Sequence, residues 1–364
     1  MRLPVKGLLA AIVALLGAVD DAPGRAANPP PPAWVKLDTV PYTLNNKQDA
    51  IAFVSPDMGW YGNGLGRIYR TLDSGRTWRE IYRKPGTYVR TLEFIDAKTG
   101  FMGNVGPGYF PNVTDANPLY VTHDGGFHWT PVAAPAGPKV TGVCAIDVLR
   151  VGGKVAAIRA GGRVGGPAAI MTSFDGGATW KSQDLSRLTG MILDIKFVSA
   201  TTGFIAGASA SDERRSHALV LKTTDGGRSW RKVYESQRPM ENTWKLAFPT
   251  STTGYVTVLS YDPNPASVRR YVAKTVDGGE TWRELPVVDD KRLIEYGVAF
   301  IDARHGWVGG DPGGYETRDG GAIWRPANMG VAVNKIRILP TGRSGLRLFS
   351  VGKAVWRLDL PRGG

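Results

Sequence analysis

The sequence is poor in cysteine and histidine, and both shortages exclude classes of protein. A single cysteine, Cys144, rules out an intramolecular disulfide, and its apolar surroundings predict a buried small side chain. The four histidines, at 123, 128, 217 and 305, are dispersed without the spacing of a zinc site. No Gly-rich phosphate loop follows a predicted strand and opens a helix. We therefore expect no metal, no cofactor and no catalytic constellation.

The sequence also lacks an apolar run of the roughly 20 residues that a membrane-spanning helix needs. Its longest apolar run, residues 8–19, follows Arg2 and Lys6, which is typical of a secretory signal peptide. We predict a signal peptide at 1–27 and a Pro-rich linker at 28–33, with a retained N-terminal anchor as the alternative. The mature chain would then be exported, to the periplasm or out of the cell, without a transmembrane span.

Acidic residues are outnumbered, since 32 Asp and Glu face 45 Lys and Arg, giving a net charge of +13. Such a balance favours an anionic partner: a membrane surface, an acidic polymer or an acidic protein face. Nucleic acid is disfavoured because the cations are scattered, no binding motif is present and the chain is predicted to be exported. Whether the charge serves binding or solubility stays open at this level.

One octapeptide, [ST]-x-D-x-G-x-[ST]-W, recurs six times, with His128 and Ile323 as departures at its seventh position. Successive aspartates are 42–52 residues apart, which is the length of one four-stranded propeller blade in a β-rich chain. The repeated aspartates are Asp73, Asp124, Asp175, Asp225, Asp277 and Asp319. The repeated tryptophans are Trp78, Trp129, Trp180, Trp230, Trp282 and Trp324.

The chemistry of the octapeptide is local and predicts a structural role. An Asp in a tight turn accepts hydrogen bonds from nearby backbone N–H groups, and the Gly adopts a positive φ. The Trp begins the next strand and buries its indole. Six copies spaced around a ring cannot all face one site, which argues against metal binding or catalysis by these aspartates.

The flanking segments repeat as well, each with an apolar strand ending near a Phe, a turn and a second strand. The third copy, 144–158, is degenerate, and a seventh copy, 335–360, lacks the octapeptide. Residues 34–37 resemble 282–285, so the N-terminal strand should complete the last blade and remove an exposed edge. We therefore predict an all-β fold: a single seven-bladed β-propeller over 34–360, of four-stranded blades, closed by the N-terminal strand.

The octapeptide resembles the Asp-box, or BNR repeat, of sialidases, xyloglucanases, sortilin-type receptors and photosystem II stability/assembly factors. The blade pattern is most similar to that of the assembly factors, each a single exported seven-bladed propeller. The resemblance covers essentially the whole mature chain. It implies a non-enzymatic role, the binding of a membrane-protein subunit during photosystem II biogenesis, in the periplasm or the thylakoid lumen. The sequence does not fix whether the host is photosynthetic.

The alternative is a carbohydrate-active or carbohydrate-binding propeller, such as a sialidase-like glycosidase. The sequence lacks the Arg-Ile-Pro segment of a sialidase, and one ring is about half of a two-propeller xyloglucanase. An acid/base pair of Asp194 and Glu295 is the enzyme candidate that remains. The leading hypothesis is an interaction scaffold that works as a monomer.

Two sets of residues are candidates for partner binding. Long b–c loops, at 106–118, 209–217 and 261–270, should rise from one face and carry aromatic and arginine side chains. Alignment on the repeated Phe places residues of four strands a, among them Asp49, at one position beside the channel mouth, where cations would contact an acidic or C-terminal carboxylate group. The candidates are Arg90, Trp244, Lys245, Tyr296 and Arg337 at the channel, and Arg214, Arg215, Arg269 and Arg270 on the loops, beside Tyr109, Phe110 and Tyr261.

Overall fold

The computed structural model describes residues 31–43, 47–264, 266–342 and 345–361. The predicted signal peptide and residues 28–30 of the predicted linker lie outside the described residues. Within these ranges all regular structure is β-strand, in seven four-stranded antiparallel sheets. No helix long and apolar enough to cross a membrane occurs in the part of the chain that is described.

Each sheet takes consecutive strands, here called a to d. Blade 1 holds β2 (Gln48–Phe53), β3 (Gly59–Asn63), β4 (Arg67–Thr71) and β5 (Arg79–Arg83). Blade 2 holds β6 (Val89–Phe94), β7 (Gly100–Asn104), β8 (Leu119–Thr122) and β9 (Thr130–Pro131). Blade 3 holds β10 (Ala145–Val151), β11 (Lys154–Gly161), β12 (Ala169–Ser173) and β13 (Lys181–Asp184). Blade 4 holds β14 (Met191–Phe197), β15 (Gly203–Ala208), β16 (Ala218–Thr223) and β17 (Arg231–Glu235).

The remaining strands complete three more blades. Blade 5 holds β18 (Glu241–Ala247), β19 (Gly254–Ser260), β20 (Tyr271–Thr275) and β21 (Arg283–Pro286). Blade 6 holds β22 (Ile294–Phe300), β23 (Gly306–Asp311), β24 (Gly314–Thr317) and β25 (Arg325–Ala327). Blade 7 holds β26 (Lys335–Thr341), β27 (Gly345–Val351), β28 (Val355–Pro361) and β1 (Val35–Lys36).

Strand a of each blade contacts strand a of the next, and β26 contacts β2, so the seven blades form a closed ring. The chain is a seven-bladed β-propeller. The N-terminal strand supplies strand d of the last blade, with Val35 opposite Arg357 and Lys36 opposite Trp356. Leu37, which follows that strand, is buried in the core between blades 7 and 1. The predicted fold and its closure are confirmed.

Each octapeptide forms a c–d turn held by the same hydrogen bonds, as blade 3 illustrates. Ser173 Oγ donates to Asp175 Oδ1 at 2.7 Å, and the backbone N–H of Thr179 donates to the same oxygen at 2.9 Å. The Thr179 hydroxyl donates to Asp175 Oδ2 at 2.5 Å. His128 makes the corresponding side-chain contact with Asp124 through Nδ1 at 2.6 Å. Ile323 has no polar side-chain atom and donates to Asp319 Oδ1 only through its backbone N–H, at 2.9 Å.

The repeated Phe, Gly and Trp pack as one unit. In blade 5 the indole of Trp282 meets the ring of Phe248 edge-on, with centroids 6.1 Å apart. Phe248 covers Gly254 at the start of strand b so closely that a Cβ there would lie 2.4 Å from the ring. The same Phe–Gly contact recurs in four other blades, at 53/59, 94/100, 197/203 and 300/306. The repeat is therefore a packing module, as the sequence predicted.

The octapeptide turns and the a–b turns lie on the same face of the ring, and backbone hydrogen bonds join the two kinds of turn. Gly125 N donates to Lys98 O, and Gly226 N to Thr201 O, both at 2.8 Å. We call this the octapeptide face. The b–c and d–a connections emerge on the other side, called the loop face, where strands a begin.

Candidate functional site

The loop face has a pocket of about 310 Å³ at the centre of the ring. Strands a deliver Asp49, Arg90, Trp244 and Tyr296 to it, as the alignment on the repeated Phe predicted. The b–c loops of blades 2 and 5 add Tyr109, Phe110 and Tyr261. We call this the mouth pocket. Its wall is mainly aromatic, with Tyr42 and Tyr88 completing it.

The four channel residues face the mouth because strand a is irregular where it begins. Register shifts fall between Gln48 and Ala50, between Val89 and Thr91, between Thr243 and Leu246, and between Glu295 and Val298. Each shift leaves one or two residues without a ladder partner and bends the strand. Asp49, Arg90, Trp244 and Tyr296 are among those residues. The bulges thus direct these four side chains into the pocket, whereas a regular strand ladder would place them elsewhere.

Charge at the base of the mouth pocket is organised around Asp49, whose carboxylate is buried. The carboxylate lies 3.4 Å from Arg90 Nη1 and 3.3 Å from Lys47 Nζ, and it accepts a hydrogen bond from the Tyr88 hydroxyl at 2.5 Å. Burial opposes ionisation, but the two cations and the hydroxyl together lower the pKa of Asp49 to about 2. The carboxylate is therefore ionised at neutral pH.

Arg90 is only 3% exposed, and its guanidinium stacks 5.3 Å from the centroid of Trp244. Burial disfavours its charge, yet the Asp49 carboxylate keeps the pKa of Arg90 above its usual value. Nη1 of Arg90 lies in the ion pair with Asp49 but makes no hydrogen bond among the described residues. Because guanidinium N–H groups match carboxylate oxygens, this atom is a donor suited to an anionic group that enters the mouth pocket.

The loops are tied together above the pocket. Phe110 stacks on Tyr88 with centroids 4.7 Å apart, and Tyr109 packs edge-on against Phe110 at 4.9 Å. The Tyr109 hydroxyl donates to Glu213 of the blade 4 loop at 2.8 Å. Tyr109 and Tyr261 remain 38% exposed. The pocket therefore offers accessible aromatic surface over a charged base, an arrangement typical of peptide-binding surfaces.

The loop arginines do not join this pocket. Arg214 and Arg215 are exposed and Arg269 is exposed, but none of the three lines the mouth pocket. Arg270 is buried, donates to the backbone oxygen of Lys291 at 2.6 Å and lies 3.6 Å from Glu295. The expectation that Arg270 belongs to an accessible loop surface is corrected, because its charge is needed beside a buried carboxylate.

Lys245 and Arg337 also lie apart from Arg90. They line a larger cavity of about 1030 Å³ that the strands a and the a–b turns enclose toward the octapeptide face. We call this cavity the chamber. Lys245 Nζ donates to Leu193 O at 2.8 Å and lies 3.6 Å from Asp194. Arg337 donates to Ile51 O at 2.9 Å and pairs with Glu93. The predicted single cationic mouth is therefore two sites.

The proposed acid/base pair is not assembled. Asp194 lines the chamber and accepts a hydrogen bond from Leu246 N at 3.0 Å. Glu295 is fully buried beside Arg270 and does not line the chamber. Burial raises the pKa of Glu295 well above its usual value, and the positive charge of Arg270 opposes this only in part. Without a shared cavity the two carboxyl groups cannot act on one substrate.

Three side chains that line the two cavities escaped the sequence analysis: Tyr88, Asn334 and Lys335. Lys335 and Asn334 lie where blade 7 begins, and this blade has no repeated Phe to set the alignment. Tyr88 precedes strand a of blade 2, and only the bulge that follows it brings its hydroxyl to Asp49. Over the described ranges no group of three or more His, Cys, Asp and Glu has the arrangement of a metal site.

Comparison with known proteins shows which solved structures share this fold. No family model matches the chain, and no curated protein matches its sequence. Its structure is similar to that of YCF48 bound to a D1 peptide, with a TM-score of 0.62, 16% identity and coverage of 92% of this chain and 97% of that one. YCF48 from Cyanidioschyzon merolae gives a TM-score of 0.60 and 18% identity, covering 90% of this chain and 98% of that one.

An ancestral GH74 enzyme is similar as well, with a TM-score of 0.64 and 14% identity. The match covers 88% of this chain but 46% of the enzyme, so the chain spans about half of that protein's length. At these identities the likenesses show a shared propeller fold alone.

Proposed function

We propose that this protein is an exported, non-enzymatic interaction scaffold or assembly factor that binds a segment of a membrane-protein or envelope partner at the mouth pocket. The observation that carries the proposal is the pairing of an aromatic wall with Arg90, a buried guanidinium that has an unpartnered N–H. Aromatic residues and arginine supply most of the binding energy in protein interfaces. The likeness to YCF48, whose structure holds a D1 peptide, supports a peptide ligand.

The ligand that fits the charge is an extended segment with an acidic side chain or a free C-terminal carboxylate. One oxyanion would take the free N–H of Arg90, and an apolar or aromatic side chain would lie against Trp244 and Tyr296. In a photosynthetic host the site of action would be the thylakoid lumen or periplasm, and the partner a photosystem II subunit. In another host the partner would be an envelope protein of the same chemistry.

The test is selection of peptides with free C termini from a displayed library, followed by anisotropy measurements with a selected peptide. Arg90→Met and Trp244→Ala should each weaken binding at least tenfold. Arg76→Met, which removes an exposed arginine on the octapeptide face, is the matched control and should leave affinity unchanged. A selected peptide that binds Arg90→Met as tightly as the unmodified protein would place the interaction elsewhere.

The second candidate function is that of a carbohydrate-active propeller, and the GH74 likeness is what favours it. Incubation with xyloglucan oligosaccharides tests it directly. Turnover that is lost in Asp194→Ala, whose carboxylate lines the chamber, with the fold intact, would favour the enzyme. Absence of turnover together with peptide selection at the mouth pocket would favour the scaffold.

A further inference from the structure

The chamber on the octapeptide face contains charge that the proposed peptide site does not use. Four of its cationic side chains are Lys196, Lys245, Lys335 and Arg337. Lys196 lies 3.3 Å from Asp147, Arg337 pairs with Glu93, and Lys245 lies 3.6 Å from Asp194. Three of the four cations are therefore matched by carboxylates of other blades.

Lys335 is the exception. It is 7% exposed, and no carboxylate of the described residues forms an ion pair with it. Its one hydrogen bond runs from Nζ to the Thr91 hydroxyl at 2.7 Å, across blade 1. An ammonium group has three N–H donors, so two of them remain for other acceptors. The charge of Glu93, which pairs with Arg337, acts on Lys335 but forms no direct ion pair with it. A buried cation without an ion pair of its own is costly, which makes Lys335 a candidate anion-binding group.

Asn334 supplies a second donor at the same place. It is fully buried and lines the chamber. Trp244 Nε1 donates to its Oδ1 at 2.5 Å, and this bond fixes which end of the amide is the oxygen. Its Nδ2 has no hydrogen-bond partner among the described residues. The chamber is therefore lined by a second donor, a buried amide N–H₂ that has no acceptor of its own.

Lys245 lines the same chamber as Asn334 and Lys335. Lys245 belongs to blade 5 and Lys335 to blade 7, and blade 6 between them contributes only Val298, Ala299 and Phe300 to the chamber wall. No carboxylate of blade 6 therefore separates the two lysines. Burial, and then the charge of Lys245, lower the pKa of Lys335 well below its usual value, and an anion bound beside Lys335 would oppose that shift by favouring the protonated form.

We propose that the chamber is a second binding site, which holds a small carboxylate or phosphate anion between Lys335, Lys245 and Asn334. Its oxygens would accept from Lys335 Nζ, Asn334 Nδ2 and Lys245 Nζ, and its charge would offset the unpaired ammonium group. The cavity volume of about 1030 Å³ leaves room for a small organic anion as well as for inorganic phosphate. The ligand would enter from the octapeptide face, opposite the mouth pocket.

The experiment is isothermal titration with two probes, inorganic phosphate and succinate, each against sodium chloride of equal ionic strength. The unmodified protein should bind one equivalent of at least one probe saturably, and the better probe identifies the chemical class. Lys335→Met should weaken that binding at least tenfold, and Lys335→Arg should restore it in part because the charge returns. Lys154→Met, which removes an exposed lysine from a hairpin of blade 3, is the matched control and should bind normally.

Thermal unfolding separates loss of the site from loss of the fold. Lys335→Met should melt no lower than the unmodified protein, because an unpaired buried charge is removed, while the rise in melting temperature that the anion produces disappears. Absence of saturable binding of both probes would overturn the proposal, and so would equal binding by Lys335→Met. Either result leaves the peptide proposal standing, because Arg90 and the mouth pocket are tested with other ligands and variants.

Discussion

The indole N–H of Trp244 donates to the side-chain oxygen of Asn334, so a residue of the mouth pocket fixes the amide of a residue that lines the chamber. The bond joins strand a of blade 5 to the start of blade 7 and passes over Gly297 of blade 6, whose N–H donates to Val333 O at 2.9 Å. Blade 6 can be bridged in this way because its strand a carries Gly297 at that level, against which the backbone of Asn334 packs. The two sites are therefore separate cavities with one shared hydrogen bond.

Ring closure by the N-terminal strand predicts a global effect on stability. Deletion of residues 34–40 would remove β1, the buried Leu37 and the edge-on contact of Trp34 with Trp307. Loss of two such side chains costs several kcal/mol, so the melting temperature should fall by about 5–10 °C or more. Lys36→Gln, which keeps the backbone pairing, is the control. An unchanged melting temperature of the deletion variant would contradict closure by this strand.

The contact between Phe248 and Gly254 predicts that a side chain at position 254 would clash with the ring. The backbone of Gly254 does not itself require glycine, so the clash is the only expected effect. A Cβ at Gly254 would lie 2.4 Å from the Phe248 ring, which itself stacks on Phe204 with centroids 4.2 Å apart. Gly254→Ala should therefore cost about 1–3 kcal/mol of unfolding free energy, measured by urea titration. Gly313→Ala is the matched control, because no heavy atom lies within 4 Å of its Cβ, and it should change stability by less than about 0.5 kcal/mol. Equal effects of the two substitutions would show that the Phe–Gly contact carries no packing constraint.

These examples show why the fold could be predicted from the sequence. The octapeptide hydrogen bonds and the Phe–Gly–Trp contacts lie within one repeat. Their residues therefore recur in the sequence at the spacing of the blades, and this spacing predicts the propeller. For the same reason the sequence predicted that one position at the start of strand a is shared by Asp49, Arg90, Trp244 and Tyr296. Assignment of Lys245 to the mouth failed because neighbouring residues in a bulge point to different cavities, and the bulge leaves no mark in the sequence.

The site also depends on contacts between different blades, which the repeat within one blade does not predict. The pairing of Arg270 with Glu295 joins a loop residue of blade 5 to strand a of blade 6. The hydrogen bond between Lys335 and Thr91 joins blade 7 to blade 2. Such contacts depend on the geometry of the ring and on the size of the residues between the partners. They can therefore be identified only from the complete seven-bladed structure.

Asp49 predicts a pH dependence of stability in the acid range. Its folded-state pKa, about 2, lies below the ordinary value of 3.8, so its contribution is complete above about pH 4 and is lost as the pH falls through 2. The stability difference between the unmodified protein and Asp49→Asn should therefore shrink by about 2 kcal/mol between pH 4 and pH 2. Urea unfolding followed by tryptophan fluorescence measures it.

Tyr88→Phe provides the second arm of that experiment. Removal of the hydroxyl that donates to Asp49 raises the folded-state pKa toward its ordinary value, so the pH-dependent part of the difference should become smaller. If the difference between the unmodified protein and Asp49→Asn were constant from pH 4 to pH 2, Asp49 would not be held ionised by its neighbours, and the charged base of the mouth pocket would be refuted.

The bond between Trp244 and Asn334 predicts coupling between the two cavities. Trp244→Phe keeps an aromatic ring at the mouth but removes the N–H that orients the Asn334 amide, so Nδ2 would no longer be held in place. One hydrogen bond of this kind is worth about 1 kcal/mol, so affinity of the chamber for its anion should fall about fivefold. The prediction rests on the chamber site, and isothermal titration with the better of the two anion probes measures it.

Tyr296→Phe, which changes the mouth pocket without touching Asn334, should leave anion affinity unchanged. Equal anion affinity in Trp244→Phe and the unmodified protein would mean that the amide orientation does not depend on the indole, and the two cavities would then act independently.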